Sequence, residues 1–242
     1  MQLVAHKHTP ESRSVLDRAR RKGQKLLYHL ITGYRVTGER VHPLFADDNF
    51  VNHLRVYQYV RQFVANREVL DVGCGINKKA GAVGVDRNPA SRADVIADLD
   101  RFPYPFRDSA FDALQAVHVI EHLSDVIRSM EEFHRLVRGG GEVLIVTPHY
   151  TDFSSFCDPT HRWHLNSFSL RYFGENHGGF GYYSAARFQE ISVRVKLLAF
   201  WRWLGFEWLV NTFPRYRRFW EHYLCFVVRG KVIEWRLRAV KR

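Results

Sequence analysis

The stretch with the most chemical content is Val69-Leu70-Asp71-Val72-Gly73-Cys74-Gly75, and Ala82-Val83-Gly84-Val85-Asp86 follows it closely. An apolar, β-branched run that stops at Gly-Cys-Gly is typical of a buried strand that ends in a tight turn. The second run ends in an acid, and in nucleotide-binding sites an acid at that position accepts hydrogen bonds from ribose hydroxyls. The two runs therefore predict the nucleotide-binding start of a βαβ unit.

The link between these two predicted strands is short. Gly73 and Asp86 are 13 positions apart, whereas the dinucleotide-binding pattern places its acid about 20 residues on. A full crossover helix does not fit, so residues 76–81 are predicted to cross as a loop or a single turn. This departure weakens any argument that a helix N-terminus holds an anionic part of the ligand.

The elements that position these residues are strands that alternate with links and one helix. Apolar runs predict strands at residues 68–72, 82–86, 94–97, 111–119 and 142–147, then a half-buried strand at 188–198 and a closing strand at 232–239. Ser124-Asp125 is predicted to cap a helix that Gly139-Gly140-Gly141 ends. This alternation predicts an α/β fold with a mostly parallel sheet.

Two segments flank or interrupt this pattern. Residues 1–46 are predicted to be a basic N-terminal extension with short helical pieces, and residues 47–242 to be the α/β domain. Apolar residues at helical spacing predict a helix between Asp48 and Val64, just before the first strand. Residues 199–228 are an aromatic and basic insertion, predicted to be helical in pieces that break at Gly205 and Pro214.

The length, composition and net charge of the chain limit the classes of protein to which it can belong. With 242 residues, of which 46% are hydrophobic and 25% charged, the chain is predicted to be globular, with one α/β domain plus additions. A net charge of +11 leaves two interpretations open, a polyanionic partner such as nucleic acid or an anionic membrane, or a solvated basic surface.

Location is predicted from three features of the sequence. No uncharged apolar run is long enough to span a bilayer, and residues 1–7 lack the apolar core of a signal peptide. Three cysteines without C-x-x-C spacing fit a reducing compartment. The cytoplasm is therefore the predicted location, with peripheral membrane contact left open.

Five motifs in order carry a resemblance to a known family. After Asp71-Val72-Gly73-Cys74-Gly75 come Asp98-Leu99, Phe111-Asp112-Ala113, His118-Val119-Ile120-Glu121-His122-Leu123 and Val137-Arg138-Gly139-Gly140-Gly141. Over about residues 67–150 the chain resembles class I S-adenosylmethionine-dependent methyltransferases of the type 11 group. The resemblance implies a Rossmann-like, mostly parallel seven-stranded sheet with an antiparallel final strand, and S-adenosylmethionine as the cofactor.

Residue by residue, the resemblance implies a cofactor site outside the carboxyl ends of the strands. Asp86 would accept hydrogen bonds from the ribose hydroxyls, and His118 would lie beside the reactive sulfonium. Asp98 would face the adenine amino group, with Leu99 against the ring. The other implied cofactor-binding residues are Asp71, Gly73 and Gly75, which would border the methionine moiety.

His118 and His122 would share one face of a helix, which is a spacing that metal ligands use. Glu121-His122 is nevertheless common in the wider family without metal. We therefore predict no metal site, with Glu121 as an acid at a helix start and His122 as a packed or capping group.

The acceptor is predicted to bind beyond the fifth strand. His161 is the first candidate for a general base, because imidazole exchanges protons near neutral pH. The alternative is that His161 only caps or ties its loop, since many methyltransferases need no base. His149, which follows the strand end at Thr147-Pro148, is the second catalytic candidate. The predicted acceptor-binding residues are Tyr150, Arg162 and His164.

The predicted activity is methyl transfer to a small-molecule or lipid-like acceptor by direct displacement. One alternative is an RNA or protein methyltransferase that uses the basic termini, although the Asn/Asp-Pro-Pro-Tyr signature of nucleobase amino methylation is absent. Another is a non-catalytic, membrane-associated interaction protein that keeps the cofactor fold. The rings and arginines of the insertion fit either an interfacial surface or a buried lid or dimer face.

Overall fold

The computed structural model describes residues 34–37, 40–43, 68–174 and 182–241. The chain divides into two compact units, Met1–Val56 and Tyr57–Arg242. In the first unit, β1 (Tyr34–Thr37) and β2 (Arg40–Pro43) form an antiparallel hairpin. The sequence does not predict this hairpin, and the rest of residues 1–46, where short helical pieces are predicted, lies outside the described residues. The predicted helix between Asp48 and Val64 and the predicted boundary at 46/47 lie outside the described residues.

The second unit is built on a seven-stranded sheet with the order β5-β4-β3-β6-β7-β9-β8. β3 pairs in parallel with β4 and β6, and β7 pairs antiparallel with β9, which also pairs antiparallel with β8. The predicted mostly parallel sheet with an antiparallel final strand is confirmed. The strands are β3 (Val69–Val72), β4 (Val83–Asp86), β5 (Val95–Ile96), β6 (Phe111–Val117), β7 (Val137–Pro148), β8 (Phe188–Leu197) and β9 (Gly230–Ala239).

The register aligns the ends of the parallel strands. Val72 lies opposite Val85 on one side and Ala116 on the other, so β3, β4 and β6 end at one edge. The short first crossover is confirmed, since it holds only one 3-10 turn, Gly75–Asn77. Ligands of open α/β sheets bind outside this edge.

The main helix, α1 (Val126–Leu136), covers one face of the sheet. Asp125 caps it as predicted, because its carboxylate accepts a hydrogen bond from the backbone N–H of Arg128 at 2.9 Å. Met130, Phe133 and Leu136 are fully buried in the main core, together with sheet residues such as Leu70, Leu114 and Ile145. Burying a large aliphatic or aromatic side chain contributes roughly 1.5–3 kcal/mol.

The end of α1 differs from the prediction. The helix ends at Leu136, and Val137 is already extended and belongs to β7, so the three glycines do not end it. They lie in an irregular part of β7, where the register shifts between Phe111 and Ala113 of the neighbouring strand. Glycine fits there because a Cβ on Gly141 would lie 2.9 Å from the carbonyl oxygen of Asp112.

The strand β8 does not alternate strictly along its length. Strict alternation would place Phe188 and Val193 on opposite sides of the strand, but Phe188 is buried, as are Val193 and Val195. The register shifts between Glu190 and Ser192, so one extra residue is inserted and Ile191 is exposed. A bulge of this kind exchanges the faces on which side chains lie.

The insertion folds into short helices against the last two strands, and its predicted breaks are confirmed. Gly205 has a φ of +82° between two of the helices, and Pro214 begins the next. Val210, Trp220 and Cys225 form a second core with Val195 and Leu197 of β8. Among the described residues, no helix is long and apolar enough to cross a membrane. The remaining helices are α2 (Phe153–Cys157), α3 (Ala199–Trp203), α4 (Phe206–Thr212), α5 (Pro214–Phe219), the π helix Trp220–Leu224 and the 3-10 turn Ser169–Phe173.

Candidate active site

A cleft with a volume of about 610 Å³ opens at the carboxyl ends of β3, β4 and β6. Clefts of this size are typical of small-molecule and cofactor sites. The sequence-predicted cofactor residues that line it are Gly73, Asp86, Asp98, Leu99 and His118.

Gly73 gives the cleft its floor at the end of β3. Its φ is +63°, and a Cβ at this position would lie 3.0 Å from Cγ1 of Val119 and closer still to Cγ2. Its N–H donates a hydrogen bond to the carbonyl oxygen of Val85 at 2.7 Å, which fixes the turn onto β4. A side chain would therefore be strained by the left-handed backbone and would collide with Val119.

Asp86 is held in place by two backbone donors. Its Oδ2 accepts a hydrogen bond from the N–H of Gly75, and its Oδ1 accepts one from the N–H of Asn88, both at 2.8 Å. Each carboxylate oxygen retains acceptor capacity for a second donor. Asp86 is thus presented at the strand end as a fixed acceptor, and Gly75 contributes by holding it rather than by lining the cleft.

Asp71 lies in a different place from the one that the sequence predicted. It is buried and does not line the cleft, and its Oδ2 accepts a hydrogen bond from the N–H of Lys79 at 2.8 Å. Burial raises the pKa of Asp71, although hydrogen bonds from Gln115 and from Lys79 oppose that effect. Asp71 therefore ties the short crossover to β3 from inside the domain.

His118 follows β6 with a φ of +54°, in the left-handed region. Its N–H donates to the carbonyl oxygen of Val146 on β7 at 2.8 Å, and its Nδ1 lies 3.2 Å from Oε1 of Glu121. Few residues other than glycine adopt this conformation, and such positions cluster at functional sites. The turn places His118 in the wall of the cleft, as predicted.

A second part of the cleft lining, which we call the second wall, consists of His122, Thr160 and Arg162. Nδ1 of His122 lies 2.9 Å from Oγ1 of Thr160, and that hydroxyl donates to Oδ1 of Asp158 at 2.6 Å. Because the hydroxyl proton is used for Asp158, Thr160 accepts from Nδ1–H of His122, which leaves Nε2 of neutral His122 with a lone pair. The Thr160 hydroxyl and N–H lower the pKa of Asp158 below its usual range.

His161 lies behind His122 rather than in the lining of the cleft. The two imidazole rings meet edge to face with their centroids 4.6 Å apart. Nδ1 of His161 lies 3.0 Å from the carbonyl oxygen of Ser155, and that oxygen can only accept, so Nδ1 carries the proton. The N–H of Arg162 donates to the carbonyl oxygen of Glu121 at 2.7 Å, which fixes the loop beside the end of β6.

Three residues at or behind this wall form a candidate metal centre. Glu121, His122 and His161 each place one ligand atom within 4.8 Å of the others. Oε2 of Glu121 is buried without a hydrogen-bond partner, and both Nδ1 atoms of the histidines are hydrogen-bonded to other groups. These residues could hold a divalent cation, although the sequence predicts none.

His149 does not face the cleft, contrary to the prediction that made it a catalytic candidate. Its side chain is fully buried, with Nδ1 2.7 Å from Oγ1 of Thr151 and Nε2 3.3 Å from both carboxylate oxygens of Glu221. A Cβ on Gly230 of β9 would lie 2.6 Å from this ring, so the glycine makes room for it. Burial raises the pKa of Glu221, but hydrogen bonds from His149 and Ser167 outweigh it, and the pKa lies below its usual range.

Tyr150 and His164 also lie outside the cleft. The Tyr150 hydroxyl is 2.9 Å from Sγ of Cys225, and its ring lines a second groove of about 460 Å³ with Phe153, Phe156 and Phe226. His164 stacks on Phe156 with ring centroids 4.0 Å apart. Of the residues predicted to bind the acceptor, only Arg162 lines the cofactor cleft.

Sequence reasoning missed several residues of the cleft. Asn88 and Asp100 line it two residues after Asp86 and Asp98, so their proximity to strand ends was an available signal. His122 was interpreted as a packed or capping group, because the sequence gives no sign that Thr160 comes to its side.

Comparison with known proteins agrees with this geometry. The family profile described as a methyltransferase domain matches residues 70–145. A protein from Mycolicibacterium smegmatis named "Probable S-adenosylmethionine-dependent methyltransferase" is 33% identical over 157 residues, which are 56% of this chain and 61% of that protein. A human protein named "Probable tRNA methyltransferase 9B" is 30% identical over 125 residues, 44% of this chain and 27% of that protein.

A solved structure shows the same fold. The crystal structure of a SAM-dependent methyltransferase from Archaeoglobus fulgidus superposes with a TM-score of 0.53 at 17% identity, covering 80% of this chain and 96% of that one. The match to the Mycolicibacterium protein covers about three fifths of that protein's length. With its motifs, sheet order and cleft, the described part of the chain is similar to class I S-adenosylmethionine-dependent methyltransferases, and residues 70–145 match the methyltransferase-domain profile.

Proposed function

We propose that this protein transfers a methyl group from S-adenosylmethionine to a small-molecule or lipid-like acceptor. The observation that carries the proposal is the composition of one cleft. Residues of the cofactor-binding type form one part of its lining, the first wall, and His122, whose Nε2 keeps a lone pair, belongs to the second wall of the same cleft. A cleft that binds both the cofactor and the acceptor holds the methyl carbon close to the acceptor atom, and this proximity is the main requirement of methyl transfer.

The residues of the first wall fit the cofactor. Asp86 is a fixed acceptor for ribose hydroxyls, Asp98 is exposed beside it, and Leu99 offers a buried apolar contact for the adenine. Gly73 leaves room where a Cβ would collide with Val119. When bound, S-adenosylmethionine supplies an electrophilic methyl carbon, which an acceptor lone pair attacks while the carbon–sulfur bonding pair stays on sulfur.

The second wall supplies a proton acceptor. His122 would take the acceptor's proton at Nε2, and its Nδ1–H donates to Thr160, which in turn donates to the ionised Asp158. This series of hydrogen bonds keeps the His122 imidazole in one tautomer and stabilises the imidazolium that forms when it takes the proton. The earlier candidate, His161, contacts the His122 ring edge to face and would act by positioning it.

The test compares His122, which lines the cleft, with His161, which does not. Methyl transfer from radiolabelled S-adenosylmethionine is followed into the lipid-extractable, small-molecule, protein and RNA fractions of a cell extract. We expect label in a lipid or small-molecule fraction, and about 10²–10⁴-fold slower transfer for His122→Asn because a general base is lost. His161→Asn should lose less, and both variants should bind S-adenosylmethionine normally. Near-normal transfer by His122→Asn would eliminate His122 as the base.

A second candidate function is methylation of RNA. It is favoured by the net charge of +11 and by the similarity to the human protein named as a tRNA methyltransferase. The proposal of a lipid-like acceptor is supported by similarity to the protein of Arabidopsis thaliana named "Tocopherol O-methyltransferase, chloroplastic", which is 28% identical over 123 residues. Label that enters only the RNA fraction would overturn the small-molecule proposal and support this second one.

A further inference from the structure

The insertion exposes several large apolar side chains to water. The exposed fractions are 79% for Trp203, 62% for Trp208, 74% for Tyr223, 74% for Phe226 and 66% for Val227. We call these five residues, with the two exposed arginines described below, the insertion surface. Large exposed apolar patches of this kind mark interaction sites.

These rings are held outward by a rigid support. Arg217 is buried and donates to the carbonyl oxygen of Val193 on β8 at 2.6 Å, and the side chain of Asn211 bonds both backbone groups of Val195 at 2.8 Å. Trp220 is fully buried and donates from Nε1 to the carbonyl oxygen of Val228 at 2.7 Å. The inner face of the insertion is thus already packed, so its outer rings have no place in the core.

The exposed charges of the insertion are positive. Arg215 and Arg218 are exposed, whereas both glutamates of residues 199–229 are used within the fold. Glu207 accepts a hydrogen bond from the N–H of Leu197 at 2.9 Å, and Glu221 is buried beside His149. Glu221 is buried and Glu207 is half-buried, so no carboxylate of this fully described segment is as exposed as the two arginines, and the surface combines aromatic rings with exposed positive charge.

We propose that the insertion surface binds an anionic membrane, with its rings at the level of the acyl chains and its arginines against the headgroups. Tryptophan and tyrosine are suited to the boundary between lipid and water, since an apolar ring carries a polar group. Basic residues near the anionic surface add electrostatic attraction that salt screens. Apolar burial and charge attraction together are the two signals that give peripheral binding.

The surface adjoins the second groove of the domain. Phe226 shares the 460 Å³ groove with the exposed rings of Phe153 and Phe156. Ser155 of the same short helix accepts, through its carbonyl oxygen, the Nδ1–H of His161, whose ring contacts that of the proposed base, His122. A membrane-bound protein would therefore hold this apolar groove next to the lipid, and His161 links the groove to the proposed base.

The test is flotation with vesicles of phosphatidylcholine, with and without phosphatidylglycerol, at low and raised salt. We expect the wild-type protein to float with the anionic vesicles, and Trp203→Ser combined with Trp208→Ser to lower the partition coefficient at least about tenfold. Arg215→Gln and Arg218→Gln should each lower it about fivefold, and only at low salt. The exposed positions of these side chains leave folding and S-adenosylmethionine affinity unchanged, which calorimetry checks.

Matched controls lie elsewhere on the domain. Tyr182 is exposed before β8, at the end opposite the insertion, and Arg107 is exposed in the link before β6. Tyr182→Ser and Arg107→Gln should float like the wild type. The proposal is overturned if the wild type stays unbound at low salt, or if the insertion variants float unchanged. It is also overturned if sedimentation shows a dimer that the double tryptophan variant dissociates while no vesicles are bound.

Discussion

Gly73 offers a quantitative test of the turn that forms the cofactor cleft. Substitution by alanine forces a side chain into the left-handed region, which costs about 1–2 kcal/mol. The added Cβ also meets both methyl groups of Val119, one of them at 3.0 Å, and overpacking of that kind costs typically about 1–3 kcal/mol. We expect Gly73→Ala to lower the free energy of unfolding by about 2–5 kcal/mol, the sum of these two terms.

The matched control is Gly75, which separates the two terms. Its φ is +50°, and a Cβ there would have no atom within 4 Å. Gly75→Ala should therefore show only the backbone strain, about 1–2 kcal/mol. In urea denaturation, a double-mutant cycle of Gly73→Ala with Val119→Ala should give a favourable coupling of about 1–2 kcal/mol, since the colliding methyl groups are removed. Equal losses for the two glycines, or a coupling near zero, would refute the reasoning.

Two further predictions concern other parts of the site. Because the pKa of Glu221 is lower in the folded protein than its ordinary value of 4.5, its charge adds stability above that pH and the contribution is lost as the pH falls below it. The difference in unfolding free energy between the wild type and Glu221→Gln, measured by urea titration, should therefore shrink at acid pH, and a constant difference would contradict it. We also expect EDTA to leave S-adenosylmethionine binding and methyl transfer unchanged, because the His122 relay needs no metal. A loss that added divalent cation restores would show instead that Glu121, His122 and His161 hold an ion.

The cofactor side of the site could be predicted because its chemistry is local in sequence. Gly73 and Asp86 terminate apolar runs and Asp98 follows one, and the parallel register brings those ends to one edge. A short apolar run with a polar end is a pattern that a strand creates by itself. Asp71 is implied only by the resemblance, and its position inside β3, one residue before the strand ends at Val72, leaves its side chain buried.

The wall that we propose to bind the acceptor could not be predicted, because its contacts join distant residues. His122 and Thr160 are 38 positions apart, and no periodicity indicates their hydrogen bond. His149 follows a strand end, which is the position expected of a cleft residue, yet Glu221, 72 positions away, binds it in the interior. That outcome depends on the position of Glu221 in the insertion, which packs on β8.

The most direct test of the central claim is calorimetric titration of S-adenosylmethionine into the wild type and Asp86→Ala. The matched control is Asp112→Ala, which also removes a carboxylate that accepts a backbone N–H, at 3.0 Å from Glu68, but at the opposite end of the sheet. We predict that the wild type and Asp112→Ala bind alike. Asp86→Ala should bind more weakly by about 1–3 kcal/mol, the size of hydrogen bonds to a charged group. Absence of binding by the wild type, or equal binding by Asp86→Ala, would contradict the assignment of this cleft.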